Sequence, residues 1–166
     1  MDSARARGQS GAMIPLPPPM RQALDAARAA AKAGEVPVGA VIVHRGAIIA
    51  TAANAPRDLH DPTAHAEIQV IRRAAAALER ERLEDCDLWV TLEPCAMCAA
   101  AISFARIERV IIGALDPNGG GVLHGGKFYN QPTCHWRPEV ASGLLESECG
   151  DILRRFFKEK RLAEKI

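Results

Sequence analysis

Two short stretches of the sequence carry residue types that bind metal ions and move protons. His65 and Glu67 lie in one stretch, and Cys95 and Cys98 lie in the other. An imidazole nitrogen and two thiolates are good zinc ligands, and three protein ligands leave the fourth tetrahedral position open for water. Zinc in such a site can lower the pKa of water from roughly 15.7 to about 7. The pattern therefore predicts hydrolytic chemistry, with Glu67 as a carboxylate that transfers protons without binding the metal.

The spacing within each stretch indicates how these side chains are held. Cys95 and Cys98 are three residues apart, so one helical turn places both sulfurs on the same face. Pro94 favours a helix start, which predicts Cys95 in the first turn, where the helix dipole stabilises thiolates. His65 is expected at the start of a second helix. The two-residue separation of His65 and Glu67 does not itself place them on one helix face, so their pairing requires a particular first-turn geometry.

The alternative to a catalytic metal is a structural zinc site. That site needs a fourth protein ligand, for which Cys86 or His60 could be proposed, and it leaves Glu67 without a role. The cysteines outside the CxxC motif are predicted to be small buried side chains: Cys86, Cys134 and Cys149. The remaining histidines carry no motif and are predicted to lie in loops or at the surface: His44, His124 and His135.

Length and composition predict one ordinary globular domain. The chain has 166 residues, a net charge of +1 and five cysteines. The net charge alone identifies no polyanionic partner, so contact with nucleic acid requires a local basic patch. The odd cysteine count and spacing indicate a reducing compartment rather than a disulfide framework. With no apolar run of about 18 residues and no signal-peptide core, we expect a cytoplasmic protein without a membrane span.

Hydrophobic periodicity and turn residues predict the order of the elements. We expect residues 1–19 to form a flexible tail and residues 20–166 to form the domain. Helices are predicted at 20–32, 64–80, from 94 onward and at 143–162. Strands are predicted at 38–43, 47–51, 88–92, 110–114 and 139–141, with a glycine-rich loop at 116–126. This order predicts an α/β sandwich, a sheet with some parallel pairing and helices on both faces.

These motifs make the sequence resemble the cytidine deaminase superfamily, and more closely the bacterial tRNA-specific adenosine deaminases. The resemblance covers about residues 20–161, and its carriers are EVPVGA at 35–40, DPTAHAEI at 61–68, TLEPCAMC at 91–98 and FFK at 156–158. It implies a cytidine-deaminase-like three-layer sandwich with a central, mixed five-stranded sheet. It also implies a homodimer with one zinc ion per subunit and hydrolytic deamination of adenosine to inosine at the wobble position of a tRNA anticodon.

The resemblance also implies roles for individual residues. His65, Cys95 and Cys98 match the zinc ligands, and Glu67 matches the proton shuttle. Asn54 matches a pocket amide that bonds the target purine, and backbone amides near Ala66 and Cys95 line the same pocket. Asp116 matches an acidic position beside the ribose of the flipped nucleotide. A turn residue is the alternative interpretation of both Asn54 and Asp116.

The last helix carries a basic surface that could bind the anticodon stem-loop. From residue 152 to the end it has six basic and two acidic residues. Leu145, Cys149, Ile152, Leu153 and Phe156 form an apolar stripe that is predicted to be core. Phe157, Arg155 and Lys158 face elsewhere and are predicted to meet phosphates and splayed bases. The alternative is a solvated helix end that complements its own dipole.

Two other functions use the same motifs. A deaminase of a free base or nucleoside, such as guanine, cytosine or cytidine, shares the metal chemistry. A non-catalytic, zinc-stabilised RNA-binding or partner subunit would share the metal site alone, and the intact Glu67 argues against it.

Overall fold

The computed structural model describes residues 17–165, and within them the chain forms five strands and four α-helices. In chain order these are α1 (Pro18–Lys32), β1 (Gly39–His44), β2 (Ala47–Ala53), α2 (Ala66–Leu78), β3 (Cys86–Leu92), α3 (Ala96–Phe104), β4 (Arg109–Ala114), β5 (Glu139–Ala141) and α4 (Glu146–Ala163). A single 3-10 turn, Phe128–Asn130, lies between β4 and β5. Every predicted helix and strand is present, with ends that shift by a few residues.

The predicted tail is only partly within the described residues. Its first part, 1–16, lies outside them. Pro18 and Pro19, predicted to belong to the tail, form the first turn of α1 instead. A proline is tolerated there because the N–H that it lacks has no partner within the helix.

The sheet has the strand order β2-β1-β3-β4-β5. Strand β1 pairs antiparallel with both β2 and β3, whereas β3–β4 and β4–β5 pair in parallel. The predicted mixed, five-stranded sheet is therefore confirmed. Because β3 and β4 are parallel, their carboxyl ends lie at the same edge of the sheet, where β3 leads towards α3.

Each face of the sheet is covered by a separate pair of helices. Along β1, Ala40 and Ile42 face a core shared with α2 and α3, while Val41 faces a core shared with α1 and α4. This alternation follows from the two-residue period of a strand. It confirms the predicted three-layer sandwich.

Strand β3 follows the same division, whereas helix α4 contacts both cores through Cys149 and Leu153. Leu88 and Val90 pack on the α2–α3 side, and Trp89 packs on the α1–α4 side. The predicted apolar stripe is only partly core: Cys149 is 1% exposed, Leu145, Ile152 and Leu153 are partly buried against the two cores, and Phe156 lines the groove between α1 and α4 instead. Among residues 17–165, no helix is both long and apolar enough to cross a membrane.

Candidate active site

Three candidate zinc ligands converge at the edge of the sheet where β3 ends. His65 Nδ1 lies 3.6 Å from Cys95 Sγ and 3.5 Å from Cys98 Sγ. A tetrahedral zinc ion with Zn–S near 2.3 Å and Zn–N near 2.0 Å places its nitrogen and sulfur ligands about 3.5 Å apart. The three donor atoms therefore fit a zinc ion without rearrangement.

The structural-zinc alternative lacks a fourth ligand. Among the described residues, the group around His65 contains no other His, Cys, Asp or Glu donor within 4.8 Å of all its members. Cys86 lies at the other end of β3, where it groups with His44 and Asp85. Asp85 there already bonds the guanidinium of Arg80 at 2.7 Å. His65, Cys95 and Cys98 thus leave a tetrahedral position open.

Two helix N-termini position the ligands, in a way that differs slightly from the prediction. His65 is the N-cap residue of α2, at the helix start as predicted, and Cys95 is the N-cap residue of α3 rather than a member of its first turn. Both have extended backbones, with φ of −69° and ψ of 154° and 173° respectively. An N-cap side chain points back over the helix end, and neither of these makes a side-chain cap bond. Cys98 then follows one turn into α3, on the side of Cys95.

Hydrogen bonds among the three candidate ligands shift the pKa values of Cys95, Cys98 and His65. The hydrogen bond from the Cys98 thiol, together with the bond to His65, lowers the pKa of Cys95 to about 4. The same bond to Cys95 raises the pKa of Cys98, and a bond to Cys95 raises the pKa of His65. These hydrogen bonds favour the thiolate form of Cys95, which is the form in which cysteine binds zinc.

Glu67 lies in the first turn of α2 and is buried beside the ligands. Its side chain is 4% exposed and lines the same cavity as His65 and Cys95. Burial is the main cause that raises the pKa of Glu67 to about 7 in the metal-free protein. A carboxyl group that titrates near neutrality can both accept and return a proton.

The cavity over this site has a volume of about 300 Å³. Its wall includes two more of the predicted site residues, Asn54 and Asp116. Asn54 Oδ1 accepts the N–H of Ala66 at 3.3 Å, which leaves the amide NH2 group to donate. Among the described residues, Asn54 lines the cavity and Ala66 does not. An approach of substrate to the Ala66 amide stays a prediction.

Asp116 combines the two interpretations that the sequence left open. Its Oδ1 accepts the N–H groups of Asn118 at 3.1 Å and Gly119 at 2.9 Å, as a turn residue does. It also lines the cavity, so its carboxylate can serve the turn and face a ligand. A contact with ribose stays a prediction.

A larger groove of about 690 Å³ adjoins the cavity and shares Val36, Leu92 and Asp116 with it. Its other side is α4, and the α4 residues in its wall include Arg154, Phe157, Lys158 and Arg161. Two of the three predicted RNA contacts, Phe157 and Lys158, therefore lie next to the site.

Arg155, the third predicted contact, is placed differently. It lines a separate groove of about 440 Å³ between α1 and α4, together with Arg28 and Lys32. The helical period accounts for this, because Arg155 is rotated by roughly 100° from Arg154 about the axis of α4.

Two site residues were missed from the sequence, Glu93 and His124. His124 is in a loop, as predicted, but its Nδ1 lies 2.8 Å from the Glu93 carboxylate, which is itself part of the cavity wall. The available signal for Glu93 was its position between a buried strand and Pro94. A charged side chain buried there requires hydrogen-bond partners. Nothing in the local sequence pointed to His124.

Comparison with known proteins agrees with this geometry. Residues 18–114 match the family model of the cytidine and deoxycytidylate deaminase zinc-binding region. The chain is 60% identical over 143 residues to a tRNA-specific adenosine deaminase of Agrobacterium fabrum, covering 86% of this chain and 94% of the relative.

Two solved structures are also similar. One comes from biochemical and structural studies of A-to-I editing by tRNA:A34 deaminases; it has a TM-score of 0.81 at 58% identity and covers 81% of this chain and 98% of that one. The other is a guanine deaminase of Bacillus subtilis, with a TM-score of 0.56 at 42% identity over 58% of this chain and 62% of that one. With its three zinc donors and its match over most of both chains, this chain belongs to the cytidine and deoxycytidylate deaminase family, and within it to the tRNA-specific adenosine deaminases.

Proposed function

We propose that this protein is a zinc-dependent hydrolase that converts adenosine to inosine at the wobble position of a tRNA anticodon. The observation that carries the proposal is the pair of adjacent spaces at the site, a cavity and a groove that share Val36, Leu92 and Asp116. A small cavity is lined by Glu67, His65 and Cys95, and it shares wall residues with a groove lined by basic and aromatic side chains. A free base needs only the cavity, whereas a nucleotide within an RNA chain also needs the groove.

The residues of the cavity have distinct roles in this reaction. When bound by His65, Cys95 and Cys98, zinc supplies a water molecule acidic enough to attack at neutral pH. Glu67 takes a proton from the attacking water and returns protons to the purine ring nitrogen and the departing amino group. Water and adenosine thereby give inosine and ammonia. The Asn54 amide donates to the purine, and Asp116 meets the ribose.

Helix α4 supports the binding of the RNA around the target nucleotide. Phe157 is 40% exposed in the groove wall, where an unstacked base can lie on its ring. Lys158 and Arg161 line the same groove and can pair with phosphates. Arg155 lines the separate groove between α1 and α4, where it can pair with phosphates outside the groove next to the cavity.

A homodimer and a cytoplasmic location complete the proposal. Phe104 at the end of α3 is 79% exposed, beside a space of about 630 Å³ that Phe128 and Trp136 also line. An exposed aromatic next to an apolar hollow is typical of a protein interface, and we assign a second copy of the chain to it. The dimer is tested by light scattering, where Phe104→Asp is expected to give monomers and an unchanged mass would refute the assignment.

Cys95 and Cys98 must stay reduced to bind zinc, which favours the cytoplasm.

The function is tested by offering the purified, zinc-loaded protein one RNA and several small substrates. The RNA is an anticodon stem-loop with adenosine at the wobble position, and its control has the adenosine moved to a neighbouring loop position. Inosine at the wobble position alone is the expected result. Ammonia from free guanine, adenosine or cytidine without RNA turnover would replace the proposal with a small-molecule deaminase. Zinc binding without any turnover would leave a non-catalytic subunit.

A further inference from the structure

The buried carboxylate of Glu93 accepts hydrogen bonds from both ends of the loop 116–124, which forms part of the cavity wall. Glu93 follows β3 directly and is 2% exposed. Its Oε1 accepts the N–H groups of Leu123 at 2.7 Å and His124 at 2.9 Å. Its Oε2 accepts the N–H of Asp116 at 2.9 Å and lies 2.8 Å from His124 Nδ1. One carboxylate therefore joins both ends of the loop 116–124.

The bond to His124 has a defined direction. Three backbone N–H groups, those of Asp116, Leu123 and His124, already donate to the two Glu93 oxygens, which therefore act as the acceptors of an ionised carboxylate. An ionised carboxylate only accepts hydrogen bonds, so His124 Nδ1 carries the proton. The His124 side chain is 33% exposed and that of Glu93 is 0% exposed, so the imidazole lies between the carboxylate and the solvent.

The loop also packs directly against the zinc-ligand helix. Gly121 N–H donates to the carbonyl of Pro94 at 2.8 Å. A Cβ on Gly121 would lie 2.5 Å from Ala96 N, and one on Gly120 would lie 2.4 Å from Glu93 Cδ. There is no room for side chains at either position, so the loop is held against both Glu93 and the start of α3.

Two residues of this loop, Asp116 and Gly119, form part of the cavity wall. We propose that Glu93 and His124 are positioning residues that hold the loop 116–124 in its substrate-binding arrangement and act through Asp116 and Gly119. This inference rests on the proposed function, because the substrate that meets the loop is the target nucleotide. When part of the free enzyme has the loop open, substrate binding must first close it. The apparent affinity for substrate is then the affinity of the closed form multiplied by the closed fraction. Once the substrate is bound, the chemistry is unaffected.

The first test is His124→Ala, assayed on the wobble-adenosine stem-loop. We expect KM to rise about tenfold, the effect of losing a hydrogen bond to a charged group, while kcat changes less than about twofold. His124→Asn is the conservative variant, because its amide Nδ2 stands where Nδ1 stood, and it should restore KM to within about threefold. The matched control is His44→Ala, which removes a histidine–carboxylate contact of 3.1 Å to Asp85 at the opposite end of the sheet. Its KM should match that of the parent.

The second test measures the loop without turnover. Hydrogen exchange of peptides that cover 116–124 should be faster in His124→Ala than in the parent, with equal zinc content. Glu93→Gln should give the same result, because its amide NH2 group faces N–H donors in place of an acceptor oxygen. The exchange result stands even if the parent makes no inosine, so failure of the proposed function is distinguishable from failure of this inference.

Several outcomes would overturn the positioning role. Unchanged KM and unchanged exchange in both variants would show that the pair does not hold the loop. A fall in kcat at constant KM, or faster exchange without a rise in KM, would show that the loop does not serve binding.

Discussion

Replacing Glu67 by glutamine keeps the size of a buried side chain and removes its ability to exchange a proton. The residue is 4% exposed, lines the cavity and lies beside the zinc donors without belonging to their group. We therefore expect Glu67→Gln to bind zinc and RNA as the parent does and to lose turnover. Positioned proton transfer contributes about 10²- to 10⁴-fold in rate. The expected loss in kcat corresponds to about 3–5 kcal/mol of activation free energy.

The same substitution should change the stability of the metal-free protein with pH. Burial raises the pKa of Glu67 from its ordinary 4.5 to about 7. Between these values the folded protein binds more protons than the unfolded chain, so the free energy of unfolding falls as pH rises. Above pH 7 the full cost of ionising the buried group is about 3 kcal/mol. The glutamine variant should therefore be more stable than the parent at pH 8 and equally stable below about pH 4.5.

The assay combines single-turnover inosine formation, zinc analysis and RNA binding, with urea unfolding in the presence of a chelator. Glu35→Gln is a matched control, because Glu35 is also 4% exposed but lies outside the cavity wall. Its Oε1 accepts the Asp58 N–H at 2.8 Å, a bond that the glutamine oxygen can keep. A folded, zinc-loaded Glu67→Gln protein within about tenfold of the parental rate would refute the proton-transfer role. Equal stability of the two metal-free proteins at pH 8 would refute the burial argument.

Three further predictions concern the loop, the basic helix and the metal. Gly121→Ala should lower the free energy of unfolding by about 1–3 kcal/mol and reduce zinc occupancy, because the new Cβ would lie 2.5 Å from Ala96 N. Gly126→Ala, with nothing within 4 Å, is its control in urea unfolding and metal analysis. Lys158→Glu should weaken RNA binding, measured by fluorescence anisotropy, more than Arg155→Glu does. It should also lower the steepness of log binding constant against log salt concentration by about 1. Equal effects of the two variants would contradict the assignment of RNA to the groove next to the cavity. Removing zinc with a chelator should lower Tm, and added zinc should restore it, because a ligand that binds only the folded state stabilises it.

Local signals were sufficient for the elements and the metal chemistry. The apolar, β-rich runs at 38–43 and 47–51, separated by His44–Gly46, predict a hairpin, because strand composition and turn residues are properties of neighbouring positions. The ligands were recognisable because few residue types bind zinc and their spacings are short. The two-residue spacing of His65 and Glu67 left their geometry open, and the structure resolves it through the N-cap position of His65.

The sequence by itself thus determined the strands, the helices, the candidate zinc ligands and the acidic residue beside them. Only the tertiary structure decided how these parts meet: that the N-termini of α2 and α3 converge, that Lys158 faces the site while Arg155 does not, and that His124 reaches Glu93 across 31 positions. The helical period assigns each residue to a face but does not say which neighbour that face meets. Such contacts form only when the sheet packs its two helical layers, so distant residues become partners through the fold and not through their spacing.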